Sequence, residues 1–313
     1  MAPLLPGRPR WLIGYVDGHP QVGLHTRLMT EPPTESRYDI AAILRGDIPS
    51  PQPRTIDLRA PAPESLYPAV TALLPGYTCV PAGPGATDPA VLTHTVQALH
   101  EWAGRHGARS VSFLYVPERH HLLNATLAEC GARPVQLYPT CVMPVDFPDI
   151  EGYLAQLPRP RRRDLLRLLR RIDESGMTLG EDDLSEVRDE VLELRLGLLR
   201  KYHSADDRGA QAATLDRIVE QYPAEDRVVT TVRRDGRIAG FTLSLRHGDS
   251  LRSLWCGHEP DAYGTYFVMV FHELVAAALR RGVTSIDYGT LKWREKTSFG
   301  CRLEQLAGYT WAL

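Results

Sequence analysis

Residues 281–313 read RGVTSIDYGTLKWREKTSFGCRLEQLAGYTWAL, and this stretch decides the architecture. Its pattern predicts a helix that ends at Gly282, a strand over Val283 to Tyr288 and a tight Gly289-Thr290 turn. A short basic segment with Lys292, Arg294 and Lys296 follows, and a final strand runs from about Leu303 to Trp311. The first of these strands is apolar except for Asp287 near its carboxyl end. Open α/β sheets bind ligands beyond the carboxyl ends of their strands, so a carboxylate followed by three cations marks the candidate site.

Immediately upstream, Phe267, Val270, Phe271, Leu274 and Ala278 share one helical face, with Arg280 and Arg281 in the last turn. Before that helix, Val228 to Arg233, Ile238 to Leu245 and Leu251 to His258 read as three strands; Asp235-Gly236 is a hairpin turn between the first two. Further back lie a basic helix from about Pro160 to Ser175, a long helix from about Leu184 to His203 and another from Ala212 to Tyr222. A boundary falls near Asp146 to Asp149, which divides the chain into residues 1–148 and 149–313.

The first half is expected to begin with a hairpin, Trp11 to Val16 and Val22 to Met29, around Asp17-Gly18. Tyr38 to Leu44 fits a strand or a short helix, and five prolines make residues 49–63 a loop. Leu66 to Leu74 reads as a helix and Thr78 to Val80 as a short strand. Thr87 or Asp88 caps a helix that starts with Pro89 and ends at Gly107. Ser110 to Val116 is a strand, Glu118 to Cys130 a helix, and Pro134 to Val145 a strand with Pro139 at a bulge or edge.

The two halves end alike. Arg105-x-Gly107-x-x-Ser110-Val111 matches Arg280-x-Gly282-x-x-Ser285-Ile286, and Gly131-x-Arg133-x-x-Gln136-Leu137 matches Gly300-x-Arg302-x-x-Gln305-Leu306. Both copies run helix, strand, helix, strand, which points to a duplicated α/β unit. Ser112 stands opposite Asp287, and Leu127 opposite Lys296, so the charges belong to the second copy alone.

Composition narrows the function. Thirty-six Lys plus Arg against 38 Asp plus Glu leave a net charge of -2, which gives no general attraction to nucleic acid or anionic membrane. Five widely spaced cysteines without a C-x-x-C pair suit a reducing compartment. No apolar run is long enough for a membrane span, and the opening MAPLLPGRPR is too short and Pro-broken for a signal peptide; a cytoplasmic protein is expected. His120-His121 lacks metal-ligand spacing, and P-loop, dinucleotide and nucleophile-elbow motifs are missing.

In the second half, Lys296 can stabilise an oxyanion or a phosphate, and Asp287 can orient an amine or act as a base. Their structural alternatives are a surface lysine and a turn-capping carboxylate. His258 and Tyr266 can move protons, and Tyr263 stands beside Tyr266 at the start of the next helix. Trp255 alternates into pocket or core, which the sequence leaves open. Arg163, Arg167 and Arg170 share one face of the basic helix, where they suit phosphate recognition or simply meet solvent.

This order of helices, strand meander, buried helix, strand, helix and strand resembles the GNAT acyltransferase superfamily. More narrowly it resembles the branch of Fem-type aminoacyl transferases and related acetyltransferases that carry two GNAT-like units. The residues that carry the likeness are Tyr153-Leu154-Ala155-Gln156-Leu157, the Gly282 to Tyr288 strand and Lys296-x-x-Phe299-Gly300. The resemblance implies a mixed-sheet α/β fold with tandem GNAT-like domains, the first degenerate, and an enzyme that moves an activated acyl group to an amine. It gives Lys296 the oxyanion role, with Asp287, His258 and Tyr266 as further catalytic candidates. Trp255, Lys292, Arg294, Tyr288 and Tyr263 then become acceptor contacts. Ordinary GNAT enzymes cradle the CoA pyrophosphate with Q/R-x-x-G-x-G/A, whereas the matching stretch here is GHEPDAYGTYF, Gly257 to Phe267, in which only Gly264 serves. That departure favours a donor carried by tRNA or by an acyl carrier protein, gripped through Arg163, Arg167, Arg170 and Gly264. The rivals are acyl-CoA as donor and a non-catalytic binding module for a small metabolite. No bound cofactor and no metal are expected.

Overall fold

Aspartate caps and Gly-centred turns set the element boundaries in a computed structural model that describes residues 8–33, 36–47, 62–74, 78–202, 206–260, 262 and 264–313. Strands β1 (Arg8–Val16) and β2 (His19–Met29) form the expected hairpin. Its turn residues Asp17 and Gly18 have φ of 49° and 77°, the twist a two-residue hairpin loop requires. Next come α1 (Ile40–Arg45), α2 (Pro63–Leu66), β3 (Ala69–Ala72), α3 (Pro89–Arg105), β4 (Ser110–Pro117), α4 (His121–Glu129) and β5 (Arg133–Gln136). Asp39 and Asp88 cap α1 and α3 by accepting from Ala41 N and Ala90 N.

The chain continues through β6 (Thr140–Pro144), α5 (Ile150–Gln156), α6 (Arg159–Glu174), β7 (Thr178–Asp182), α7 (Leu184–Lys201) and α8 (Arg208–Gln221). The meander β8 (Arg227–Arg234), β9 (Arg237–His247) and β10 (Ser250–His258) leads into α9 (Thr265–Val268), a π-helical turn (Met269–Glu273) and α10 (Leu274–Arg280). It closes with β11 (Ser285–Asp287), α11 (Trp293–Ser298), β12 (Arg302–Glu304) and β13 (Leu306–Ala312).

Two mixed sheets result. One has six strands in the order β1-β2-β3-β4-β13-β5, and the other has seven in the order β12-β6-β11-β10-β9-β8-β7. Each holds one parallel pair, β3 with β4 and β10 with β11, joined by a helical crossover. In the seven-stranded sheet, Val228, Leu251 and Ile286 face a core with α6 and α10, while Val229, Phe241 and Leu243 face α7 and α8. Helices therefore cover both faces of the sheet that carries the candidate site.

Several expectations are corrected. Residues 66–74 are not a helix: Ala69, Val70, Thr71 and Ala72 are buried and pair with β2 and β4, where small and β-branched residues fit between two strands. Thr78 to Val80 forms no strand, although Cys79 N donates to Tyr115 O. β7 was not anticipated, because its TLGED sequence has little apolar content. The loop expected over 49–63 lies largely outside the described residues. The two long end strands are each broken in two, and their halves belong to different sheets. β5 and β13 are in the six-stranded sheet, β6 and β12 in the seven-stranded one. Pro139 supplies no amide between β5 and β6.

The break moves the boundary. One unit is residues 140–303 and the other is residues 3–139 together with 304–313, in place of a cut at 148/149. The duplication explains it. β13 lies between β4 and β5, and β6 occupies the same topological place between β11 and β12. Each copy of the repeat thus supplies the strand that completes the other copy's sheet.

Candidate active site

Strands β10 and β11 run parallel but pair only over Ser250–Arg252 with Ser285–Asp287. β10 continues to His258, with a bulge against β9 between Ser253 and Trp255, while the chain leaves β11 for the Gly289 turn. The two strands part at their carboxyl ends, and Arg195 of α7, Tyr266 of α9 and Lys296 of α11 all lie within electrostatic reach of Cys256 on β10.

Lys296 is the central group. Asp287 Oδ1 accepts from Gly289 N at 2.8 Å and from Thr140 Oγ1 at 2.5 Å, which fixes the turn after β11. The turn aims two carbonyl oxygens at the ammonium: Lys296 Nζ donates to Tyr288 O at 2.5 Å and to Gly289 O at 3.2 Å. Lys296 is only 7 % exposed. An ammonium has three donors, and the third finds no acceptor among the described residues. Burial pushes the Lys296 pKa below the ordinary lysine value, with Cys141, Cys301 and Asp287 acting in the opposite direction. The helix that carries it is anchored by Phe299, which stacks on Phe271 with centroids 4.2 Å apart. The surface-lysine alternative is thereby excluded; the turn-capping role read for Asp287 is observed.

Around Cys256 the structure gathers several of the candidates. Its thiol is pushed up by burial and pulled down by the charges of Arg195, Lys296 and Lys292. Tyr266 is half-buried and feels the same thiol, and burial pushes its phenol up. Lys292 is exposed, in a left-handed conformation with φ 53°, and its Nζ lies 3.4 Å from Tyr202 Oη. Arg294 is exposed and lies over the Trp293 ring, 5.1 Å from its centroid.

Other candidates have different surroundings. Trp255 and Tyr288 are core residues, not pocket walls: Trp255 packs with α7 and α8, and the Tyr288 phenol donates to Val270 O at 2.7 Å. An aromatic whose polar tip is already satisfied inside the core has nothing to offer a ligand. Tyr288 contributes through its backbone carbonyl instead. His258 Nδ1 lies 2.8 Å from the following Glu259 carbonyl. Arg163, Arg167 and Arg170 are exposed on α6, with Arg167 3.5 Å from Asp164. Tyr263 lies outside the described residues.

Gly264 has φ 99°, and a Cβ there would come 2.6 Å from Leu168 Cδ2 of α6. Amides on either side of it are used within the chain: Ala262 N donates to Glu259 O, Thr265 N to Ala262 O, and Phe267 N and Val268 N to Gly264 O. Gly264 is thus a packing residue against α6. A cavity of about 140 Å³ lies at the other side of α11, lined by Phe147, Tyr153, Gln156, Thr297 and Arg302 among others. It contains neither Lys296 nor Asp287 and is smaller than small-molecule sites of roughly 300 Å³ and above, so it is not the reaction site.

Arg195 is the group the sequence reading missed. It interrupts the buried face of α7 formed by Leu184, Val187, Val191 and Leu196, and an arginine inside such a stripe was the available signal. Gly257 sets its approach: a Cβ there would lie 2.6 Å from Phe241 Cε1 and 2.8 Å from the Leu194 carbonyl carbon. Gly257→Ala is expected to destabilise the fold by about 1–3 kcal/mol, because the Leu194 backbone cannot yield as a side chain would. Urea denaturation of the variant measures this, and an unchanged midpoint would refute the close approach.

Residues 159–297 match the acetyltransferase (GNAT) domain family. No curated protein sequence matches the chain. Among solved structures, the chain is similar to the C-terminal domain (DUF2156) of an Agrobacterium fabrum protein named as a lysylphosphatidylglycerol synthetase, with 14 % identity and a TM-score of 0.62 over 97 % of this chain and 84 % of that one. It is similar to L-PGS from Bacillus licheniformis at 12 % identity and a TM-score of 0.58, covering 96 % and 83 % of the two chains. FemX matches at 11 % identity and a TM-score of 0.62, covering 98 % and 88 %. At these identities the likeness is one of fold: residues 159–297 match a GNAT domain, and the chain as a whole shares its fold with these three structures.

Proposed function

We propose that the protein is an amide-forming acyltransferase that moves an activated acyl or aminoacyl group from a macromolecular carrier to the amine of a small acceptor. The GNAT domain and the Fem-like fold support acyl transfer as the reaction class. The observation that carries the reading is Lys296: a buried ammonium held by two carbonyls, with its third N–H unengaged at the place where β10 and β11 part. The amine attacks the donor carbonyl, the C–N bond forms, and the carbonyl oxygen gains negative charge that Lys296 stabilises. Collapse expels the carrier's oxygen or sulfur, and the amine's proton leaves to base. A preorganised donor in a site withdrawn from water is worth far more than the same contact in water.

Two observations favour a carrier over free acyl-CoA. Between β10 and α9, Glu259, Ala262 and Thr265 spend their amides on the chain's own carbonyls and Gly264 packs against α6, where ordinary GNAT enzymes present a pyrophosphate cradle. Arg163, Arg167 and Arg170 stand exposed on α6, available to a phosphate backbone or an acidic carrier. The test is binding of the purified protein to bulk aminoacyl-tRNA, acyl carrier protein and acetyl-CoA at about 50 and about 200 mM salt. The expected result is carrier binding that weakens with salt and falls roughly tenfold or more when the three arginines become alanine. Saturable acetyl-CoA binding with no carrier binding would overturn the donor assignment.

A further inference from the structure

Among the described residues, Arg195 is a cation without a counter-ion. Its Nε is buried and has no hydrogen-bond partner. Among the described residues it meets the Trp255 ring, whose centroid lies 5.2 Å from Cζ, and the field of the Cys256 thiol. The acidic residues nearest it on the same helix are engaged elsewhere: Asp189 with Arg188, Glu190 with Ile238 N, and Glu193 with Arg208. A guanidinium has five N–H donors arranged as a fork; here Nε is withdrawn from water while the residue as a whole is half-buried, so the terminal N–H groups are the part a ligand can reach. Burial accordingly lowers its pKa.

The surroundings concentrate positive charge. Cys256 lies within electrostatic reach of Arg195, Lys296 and Lys292 at once, so three cations converge on the end of β10. Against them stands Asp287, whose Oδ1 already takes Thr140 Oγ1 and Gly289 N. Tyr202, seven residues after Arg195 and so on the same side of α7, reaches Lys292 with its phenol oxygen. Lys296 serves the reacting carbonyl in the reading above. Arg195 is left over, rigidly backed by Trp255 and facing the same thiol.

We infer that Arg195 is the anchor of an oxyanion subsite, so that the small substrate that reaches Lys296 carries a carboxylate or phosphoryl group that this guanidinium binds. The fork, planar through its own delocalisation, takes two oxygens of such a group, and the Trp255 ring beneath it helps to orient it. The subsite serves orientation: an anion fixed at Arg195 sets where the acceptor amine stands relative to Lys296. This inference rests on the acyl-transfer reading for the identity of the substrate, but the anion subsite itself does not.

The test uses Trp255 as the reporter, because it touches Arg195. The intact protein is titrated with glutarate, with inorganic phosphate and with neutral glutaramide while tryptophan emission is followed, in wild type, Arg195→Gln, Arg195→Lys and Trp255→Phe. Expected is a saturable change with glutarate or phosphate, its absence with glutaramide, and binding weakened roughly tenfold to hundredfold in Arg195→Gln. Arg195→Lys keeps the charge without the fork and should fall between, and Trp255→Phe should lose the signal. The stronger of the two anions identifies the group as carboxylate or phosphoryl. Equal titration of wild type and Arg195→Gln, or an equal response to glutaramide, would overturn the subsite. Should Arg195→Gln not fold, wild-type-like anion affinity in Arg195→Lys would count against the fork. Anion binding by a protein that transfers no acyl group from aminoacyl-tRNA, acyl carrier protein or acetyl-CoA would instead condemn the acyl-transfer reading and leave the subsite standing.

Discussion

Lys296→Met is expected to lower turnover by about 10²- to 10³-fold, the usual loss when one oxyanion donor is removed from a preorganised site. The fold should survive. Met fills a similar volume, Gly289 O retains the Cys141 amide, and the loss falls on the Tyr288 carbonyl, at about 1–3 kcal/mol. Relief of a buried charge offsets part of that cost. The pH dependence gives a second reading of the same group. Burial lowers the Lys296 pKa from 10.5, so the ammonium is present below that lowered value and lost as pH rises through it. The alkaline limb of the rate profile should therefore fall before the ordinary lysine range, and Lys296→Arg should push it upward if activity remains. For stability the sign is opposite to that of a paired lysine. The native state gives up its proton before the unfolded state does, so wild-type stability rises between the two pKa values, and the burial penalty is present in full below them. Met at this position should remove that rise, which urea denaturation at neutral and alkaline pH would show. Turnover unchanged within a factor of three would remove Lys296 from the chemistry.

The fold was legible where local signals and tertiary demands agreed. Asp88-Pro89, Asp17-Gly18 and Asp235-Gly236 fixed starts and turns because each position needs that residue's cap or backbone conformation. Likewise Lys296 and Asp287 stood out because the repeat's first copy lacks both charges, and the structure joins them at one turn. What failed was non-local. Ala69 to Ala72 has no alternation because both faces are covered, so period alone could not separate strand from helix. Trp255 sits on β10, where one register step exchanges core for surface, and Tyr288 lies just past the end of β11, where the chain turns its ring into the core. Arg195 was passed over because a charged residue in a long helix ordinarily meets solvent, and its place within the apolar stripe of α7 gains meaning only beside the close approach of Gly257 to the Leu194 backbone.

The strand exchange makes the second large prediction. Removing residues 306–313 deletes β13 from between β4 and β5, and with it the buried side chains of Leu306, Tyr309 and Thr310. The Tyr309 phenol loses Asn124 Oδ1 at 2.8 Å, and Trp311 Nε1 loses the Cys130 carbonyl at 2.9 Å. β4, buried along its whole length, is left with a bare edge facing the gap. Burying a large apolar side chain is worth about 1.5–3 kcal/mol, and a domain's whole stability is roughly 5–15 kcal/mol, so this unit cannot absorb the loss. The seven-stranded sheet, in contrast, contains no residue of the deleted segment. Hydrogen exchange of the truncated chain should show β4 and β3 amides exchanging at unfolded rates while β8 to β11 keep their protection. A synthetic peptide of residues 304–313 should restore β4 protection if the strand acts through pairing. Uniform loss across both sheets would mean that the two units fold as one cooperative block, and unchanged protection of β4 would contradict its placement beside β13.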